Sequence, residues 1–584
     1  MREGQEGRKV GTGAEKMTGA GEAEQLRRIF QRRRVICRSR ASFRHALRPY
    51  WEVCSMRREG ERDAAARRKL DRTIHRLRRL RERPPSGRHF SRAVRHLQRL
   101  FRSTFPDGAT ARRHLVQFWE TDTVAWQPAA RTLTWNGQPV RLGVTPAWKI
   151  LKPFPPDGDG GSTAVPRLGI SPAHDDSRHL VNGWLAEVEG EGLAPLRLVR
   201  HGHLRDWPRI RSSFGQSPAP GELLALAARC QARIWNDLRA RVAAGTTDPV
   251  PLRLASIQLM TPGARPWFCD GERPEEQARA WAMAERKGVA VAIGSHPAES
   301  AGQIFLIPEV LAFNFPVNPW YHRLGGVRLM GKLPIPEDFF PANDRSLETL
   351  LGNSCAGGEE GPHFWKIPPA LEENWRRVRT GTEMEEDVLA AALGLWDSNS
   401  LVGAALRGGE RSERERWQII QLARQVLELC QVTAEKRGGL LWKRRALRGY
   451  EDFCHVRNPY AMPARVLVLC HLLGLPCACN CRSGKDRTGI FHGEVAYLWL
   501  VLQGDRRGTV PEPCLAEEGP PLREMLERAR VLDACGSDHI LFSCTGFHGY
   551  RVQDDRRWLR ALLRFPFLDN LHGPLAGTSW LAES

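Results

Sequence analysis

The stretch CNCRSGKDRTG, residues 479–489, crowds Cys481, Arg482, Lys485 and Arg487 around two glycines. Cations held this close repel one another unless an anion sits among them. Upstream, an apolar helical run ends in the turn GLP and passes into a short apolar segment, CACN, at residues 477–480. Downstream, TGIFHGEVAYLWLVL (residues 488–502) reads as a buried helix. Strand, loop, helix is the setting a phosphate cradle requires. Loop N–H groups converge on one point, and the helix N-terminus adds its partial positive charge. Because helices and short apolar strands alternate along most of the chain, the expected fold class is α/β.

The residue types in the loop carry specific chemistry. Five residues separate Cys481 from Arg487, a spacing that brings a thiol and a guanidinium to two sides of one bound phosphate. Neighbouring cations and a helix N-terminus favour the thiolate, so Cys481 is expected to be ionised at neutral pH. The planar fork of Arg487 can grip two phosphoryl oxygens at once. The Thr488 hydroxyl is placed to donate to the sulfur, and Gly484 and Gly489 suit positions of close backbone approach. The loop residues Arg482, Ser483, Gly484, Lys485 and Thr488 form the expected substrate-binding set around the catalytic pair. Asp486 is the first candidate for the acid that protonates a leaving oxygen; its alternative roles are to orient Arg487 or to cap the following helix. An acid from a distant loop is the other possibility.

Composition narrows the function classes. With 584 residues, 41% of them hydrophobic, the chain can build large cores without disulfide or metal staples. Fourteen scattered cysteines without a CxxC pair do not describe a disulfide scaffold. The triplet Cys477, Cys479, Cys481 lacks the two-residue gaps of a zinc site, so Cys477 and Cys479 read as small hydrophobes in a buried strand. No metal or other cofactor is expected. No apolar run is long enough to span a bilayer, and the first residues lack the apolar core of a secretory signal peptide. The net charge of +21 suggests a nucleic-acid partner until it is localised. Residues 1–100 hold 29 Lys and Arg against 11 Asp and Glu, which leaves only +3 for the rest. No RNA-binding signature accompanies this charge, so nucleic acid is disfavoured.

The chain divides into a polar tail (1–22), a basic, Arg-rich helical region (23–110) and a region of residues 111–584 that contains the loop at 481–487. In the basic region Leu70, Ile74, Leu77 and Leu80 recur at helical spacing, giving an apolar stripe on an arginine-studded helix. Such a helix can lie on an anionic membrane, bind an acidic partner, or pack as a solvated hairpin. Asn136-Gly137 marks a hairpin turn. Ser412 with Glu415 makes a capping box that opens a helix over about 413–432, and a second helix begins near Pro463.

The loop resembles known families. Cys-x5-Arg-Thr is the loop of the cysteine-dependent phosphatases. CRSGKDRTG is close to the CKSGKDRTG of the bacterial effector inositol-phosphate phosphatases of the SopB, SigD and IpgD type, and is also similar to the loop of mammalian inositol polyphosphate 4-phosphatases. Asn480 stands where tyrosine phosphatases carry His. Further stretches resemble effector-family landmarks: HLVNGW (179–184), VRHG (199–202), EEQARAW (275–281), LLGN (350–353), NPY (458–460) and TGFHGYRV (545–552). A first family motif near FNxGVNE appears here as FNFPVNPW, with Asn314 and Asn318 kept and Pro316 and Pro319 in place of Gly and Glu.

The resemblance implies a cysteine-phosphatase-like mixed sheet surrounded by helices, with the basic helical region before it. It implies hydrolysis of phosphoinositides or inositol polyphosphates through a phosphocysteine, with the 4-phosphate of phosphatidylinositol 4,5-bisphosphate as a candidate. It adds Asn314, Asn318 and Arg551 to the substrate-binding residues. Delivery into a host cell by a specialised secretion system is implied as well. The charge of the arm itself leads us to expect it at anionic membranes, with an export chaperone or acidic host protein as its alternative partner. The rival readings are a dual-specificity protein phosphatase and a catalytically idle phosphoinositide- or partner-binding module.

Overall fold

The computed structural model describes residues 39–105, 126–151, 180–204, 218–260, 270, 273–293, 302–315, 317, 340–352, 371–380, 386–435, 460–482, 484–505, 508–513, 521–537 and 539–540, with a few positions between 21 and 29.

Three helices open the described chain: α1 (Arg40–Gly60), α2 (Ala64–Glu82) and α3 (Phe90–Thr104). Asp63 caps α2 by accepting the N–H groups of Ala65 and Ala66. The three helices enclose their own core, built from Phe43, Leu47, Tyr50, Leu70, Leu77, Phe90, Leu97 and Phe101 among others, all between residues 43 and 105. Leu70 and Leu77 are buried in it, and Ile74 and Leu80 pack against it. The apolar stripe is therefore consumed inside a three-helix unit. What α2 leaves exposed is mainly basic: Arg67, Arg68, Lys69, Arg72, Arg76, Arg78, Arg79 and Arg81, against the acids Asp71 and Glu82.

The described strands form one sheet in the order β1-β2-β3-β4-β8-β5-β7-β6. β1 (Ala129–Trp135) and β2 (Gln138–Pro146) make a hairpin. Its two-residue turn holds Asn136 at φ 48° and Gly137 at φ 82°, the left-handed pair that matches strand twist. β3 (Trp184–Gly190) and β4 (Leu196–His201) continue the antiparallel meander. β5 (Val250–Gln258) and β7 (Gly302–Asn314) pair in parallel, and β6 (Val289–Ile293) closes the far edge in antiparallel register. β8 (Cys477–Asn480), last in sequence, inserts at the centre, parallel to β4 on one side and to β5 on the other.

β8 is only four residues long because it needs no more: it is buried on both faces, as a central parallel strand must be. Cys477 and Cys479 face one hydrophobic core with helices α6 (Glu413–Glu435), α7 (Ala461–Leu472) and α8 (Asp486–Gly504). Ala478 faces the other, with α4 (Pro218–Ala228) and Trp281 of α5 (Arg273–Lys287). α9 (Leu522–Ala534) packs beside α8. The capping box is present: the Ser412 amide donates to Glu415 Oε2 at 2.9 Å, and the Glu415 amide to Ser412 Oγ at 3.3 Å. The α/β class and the mixed sheet flanked by helices are as expected from the sequence.

The register decides where chemistry can occur. His201 pairs with Asn480, Asn480 with Gln258, and Gln258 with Asn314. The carboxyl ends of four parallel strands thus align on one edge of the sheet, the edge at which ligands bind in open α/β sheets.

Candidate active site

Cys481 is the first residue past β8, and Asp486 is the first residue of α8, so the loop bridges the central strand and a helix N-terminus. Cys481 is 1% exposed. Gly484, at φ +67°, lies against the backbone of β4's exit: a Cβ there would stand 2.4 Å from the carbonyl carbon and oxygen of His201. No side chain fits that gap, and an L-residue would also be strained in that conformation. The loop is pinned elsewhere by its neighbours. His203 donates from its amide to the Arg482 carbonyl at 3.4 Å and lies 3.1 Å from it through Nδ1. The Leu259 amide donates to the Asn480 carbonyl at 2.8 Å.

Asn480 has a structural role. Its side chain exchanges two hydrogen bonds, 2.8 and 3.0 Å, with Gln277 of α5, and Gln277 Oε1 also accepts the Leu204 amide at 3.2 Å. Both amide side chains are fully buried, so this reciprocal pair satisfies groups that would otherwise be costly to bury. It ties β8, α5 and the segment after β4 together, and gives Gln277 of the EEQARAW stretch a physical reason.

Arg487, 15% exposed, is held by a carboxylate that sequence reasoning did not select. Asp270, 6% exposed, accepts from Nη1 at 2.7 Å and from Nη2 at 2.6 Å, while Nη1 also donates to the Leu259 carbonyl at 2.9 Å. These bonds use the end of the guanidinium. Nε–H and the adjacent Nη2–H have no acceptor among the described residues, and they form the side-on fork that suits two oxygens of a phosphoryl group. Burial alone would push the Arg487 pKa down, but Asp270, and then Cys481, outweigh it and hold it well above its ordinary value. Asp270 thus orients Arg487.

Lys485 occupies the N-cap position of α8 without a side-chain capping bond, and is 4% exposed with no ion-pair partner among the described residues. Thr488 is fully buried, and its hydroxyl makes no hydrogen bond; the donation to the Cys481 sulfur expected from the sequence is not made in this structure. A cation and a hydroxyl buried without partners beside a thiol leave donors for an incoming anion. His201, fully buried beside the loop, is neutral: burial pushes its pKa down to about 4, with the Gly202 carbonyl opposing and His203 adding to the effect.

The structure brings together Cys481, Arg482, Gly484, Lys485, Arg487 and Thr488. Asn314 ends β7 on the same edge, two strand spacings or about 10 Å from Asn480. Its backbone is fixed by Asn343, at 2.7 and 2.9 Å, and its side-chain Oδ1 is buried without a partner. Ser483, Asn318, Arg551 and the side chain of Asp486 lie outside the described residues. Arg200, His201, His203, Asp270 and Gln277 join the site from elements remote in sequence, and no spacing near the loop signals them.

No family model matches the chain. Among curated proteins it is similar to the inositol phosphate phosphatase SopB of Salmonella typhi, 23% identical over 399 residues that cover 65% of this chain and 56% of that one. It is likewise similar to the inositol phosphate phosphatase IpgD of Shigella flexneri, 23% identical over 397 residues, 63% of this chain and 56% of that one. The match thus spans little more than half the length of either relative. Among solved structures, a Legionella phosphoinositide phosphatase superimposes with a TM-score of 0.56 at 9% identity, covering 91% of this chain and 90% of that one. A second, SidF, gives 0.53 at 9% identity. The chain has the α/β fold of these phosphatases and resembles SopB and IpgD in sequence across most of its length.

Proposed function

We propose that the protein is a cysteine-dependent phosphatase that removes a ring phosphate from phosphoinositides or inositol polyphosphates. The observation that carries this reading is the pairing of Cys481, at the end of the central strand, with an Arg487 whose far edge is fixed by Asp270 and whose near fork is open. Its similarity to inositol phosphate phosphatases in sequence, and to phosphoinositide phosphatases in fold, agrees with it.

The reaction has two steps. The Cys481 sulfur attacks phosphorus in line; a P–S bond forms, the P–O bond to the ring breaks, and the ring oxygen takes a proton from an acid. Arg487 and the loop amides stabilise the equatorial oxygens as charge builds on them. Water then attacks the phosphocysteine, forming a P–O bond and returning the sulfur as thiolate. Asp486 is the candidate acid, placed at the mouth of the helix. The loop supplies the positive charge this chemistry requires.

Arg482 and Lys485 set the substrate class. Two cations beyond Arg487 suit a substrate bearing more than one phosphate, and the 4-phosphate of phosphatidylinositol 4,5-bisphosphate is the candidate group. Asn314, Asn318 and Arg551 are the candidate contacts to the ring. The exposed basic face of α2 is the candidate attachment to an anionic membrane, working by charge because the apolar stripe is already buried; an export chaperone or host protein is its alternative partner. Among the described residues no helix is long and apolar enough to cross a membrane. Action inside a host cell, after export by a specialised route, is the setting this reading implies.

The test is phosphate release from a panel of phosphoinositides, soluble inositol polyphosphates and phosphopeptides, with and without chelator. Release from the inositol compounds, unaffected by chelator, supports the reading. Release confined to phosphopeptides would make the protein a protein phosphatase, and none at all would make it a binding module.

A further inference from the structure

Arg200, on β4, is 0% exposed, yet no carboxylate lies within ion-pairing distance of it among the described residues. Its partners among the described residues are all neutral. Nη1 donates to Ser537 Oγ at 2.6 Å and stands 3.4 Å from His492 Nδ1; Nη2 donates to the carbonyls of Gly484 at 3.4 Å and Lys485 at 3.3 Å. Nε–H meets no acceptor. His492 is uncharged, since burial first, and then Arg200 itself, hold its pKa far below the ordinary value. A buried guanidinium with no carboxylate beside it among the described residues is costly to hold, a cost that a charge acting on the adjacent loop would offset.

We propose that Arg200 is a positioning residue that sets the orientation of the phosphate-binding loop from behind and supplies it with a second fixed positive charge. The peptide bonds of the loop are trans, so a carbonyl and the following N–H point in opposite directions. By drawing the carbonyls of Gly484 and Lys485 towards itself, Arg200 turns the N–H groups of Lys485 and Asp486 the other way, out from the first turn of α8. Those are amides the mechanism requires for the equatorial oxygens. Ser537 locks the device: its hydroxyl accepts from Arg200 and donates to the Gly489 carbonyl at 3.2 Å, joining β4 to α8. The missing anion is then the thiolate or phosphate at the cradle, on the opposite side of the same loop.

This inference rests on the phosphatase reading, so the experiment must tell the two apart. The full-length wild type, Arg200→Lys and Ser537→Ala are compared by thermal midpoint, by the dissociation constant for orthovanadate, and by kcat and KM on a small aryl phosphate. Lysine keeps the charge and loses the fork that reaches two carbonyls. Misaimed amides cost on the order of 10²-fold in kcat, with KM changed much less. Ser537→Ala removes both the acceptor for Arg200 and the bond to the Gly489 carbonyl, and should lower kcat about tenfold. A wild type that neither binds vanadate nor turns over would remove the phosphatase reading and this inference with it. An active wild type alongside a folded Arg200→Lys within twofold of it in kcat and vanadate affinity overturns the inference alone. If Arg200→Lys does not fold, Ser537→Ala decides: wild-type kcat in that variant overturns the proposal, and a drop with an unchanged midpoint supports it.

Discussion

Replacing Asp270 by Asn separates the two things Asp270 does for Arg487, holding its guanidinium and neutralising it. The wild-type carboxylate accepts two charge-assisted bonds, at 2.6 and 2.7 Å, in a pair only 6% and 15% exposed. Asparagine offers one acceptor and turns an NH2 group against a guanidinium N–H. Breaking a buried pair by removing one partner costs about 3–5 kcal/mol, and the partial exposure of Arg487 places this case near the lower end. The thermal midpoint should fall accordingly. Activity should fall as well, by about 10²-fold in kcat, because a guanidinium free to swing no longer presents Nε–H and Nη2–H together. Ground-state binding should go the other way. Loss of the carboxylate leaves the cradle one unit more positive, so inorganic phosphate should bind Asp270→Asn at least as tightly as wild type. Calorimetric titration with phosphate, a thermal melt and steady-state kinetics on one substrate measure all three quantities. A variant with unchanged midpoint and unchanged kcat would refute the assignment of Asp270 as the residue that fixes Arg487.

Joint replacement of Arg482 and Lys485 by Ala should cost more kcat/KM on a bisphosphorylated inositol lipid than on an aryl monophosphate, since the small substrate has no second phosphate to meet; equal losses would assign both cations to the loop itself. His471 is buried beside Gln231 and the Pro195 carbonyl, and burial pushes its pKa down to about 4, opposed by the Pro195 bond and lowered further by Arg197. The unfolded chain therefore takes up protons first, and stability held above about pH 6.5 is lost as pH falls towards 4, by about 3 kcal/mol for this one group; melts of His471→Gln should show a shallower loss across that window, and an unchanged slope would contradict it. Reversing Arg72, Arg76 and Arg79 to Glu should weaken sedimentation with anionic vesicles, each basic residue contributing on the order of 1 kcal/mol at low salt, while hydrolysis of a soluble inositol phosphate stays the same; vesicle binding at the wild-type level would point to a protein partner for the arm.

What the sequence reveals about this protein follows the distance over which each cause acts. The loop is legible because its chemistry is local: Cys481, Arg487 and the glycines lie within nine residues, and strand and helix flank them. The Asn136-Gly137 turn and the Ser412–Glu415 cap are local for the same reason, and both stand as read. Asp270 is 217 residues from the arginine it holds, and Arg200 is 284 from the carbonyl of Gly484, so neither leaves a trace in spacing. Their roles exist only because β8, last in sequence, inserts between β4 and β5. The stripe of Leu70 and Leu77 fails differently. Periodicity shows that α2 has an apolar face, but not whether that face meets lipid or, as here, the helices on either side of it.

The central claim is that Cys481 carries the phosphoryl group. Acid quenching of the full-length enzyme during turnover of a phosphoinositide, followed by peptide mass analysis, tests it directly. The account predicts a phosphate adduct on Cys481 that is absent from Cys481→Ser, together with loss of turnover by several orders of magnitude in that variant. Turnover in Cys481→Ser above about a tenth of wild type, or an adduct on another residue, would contradict it.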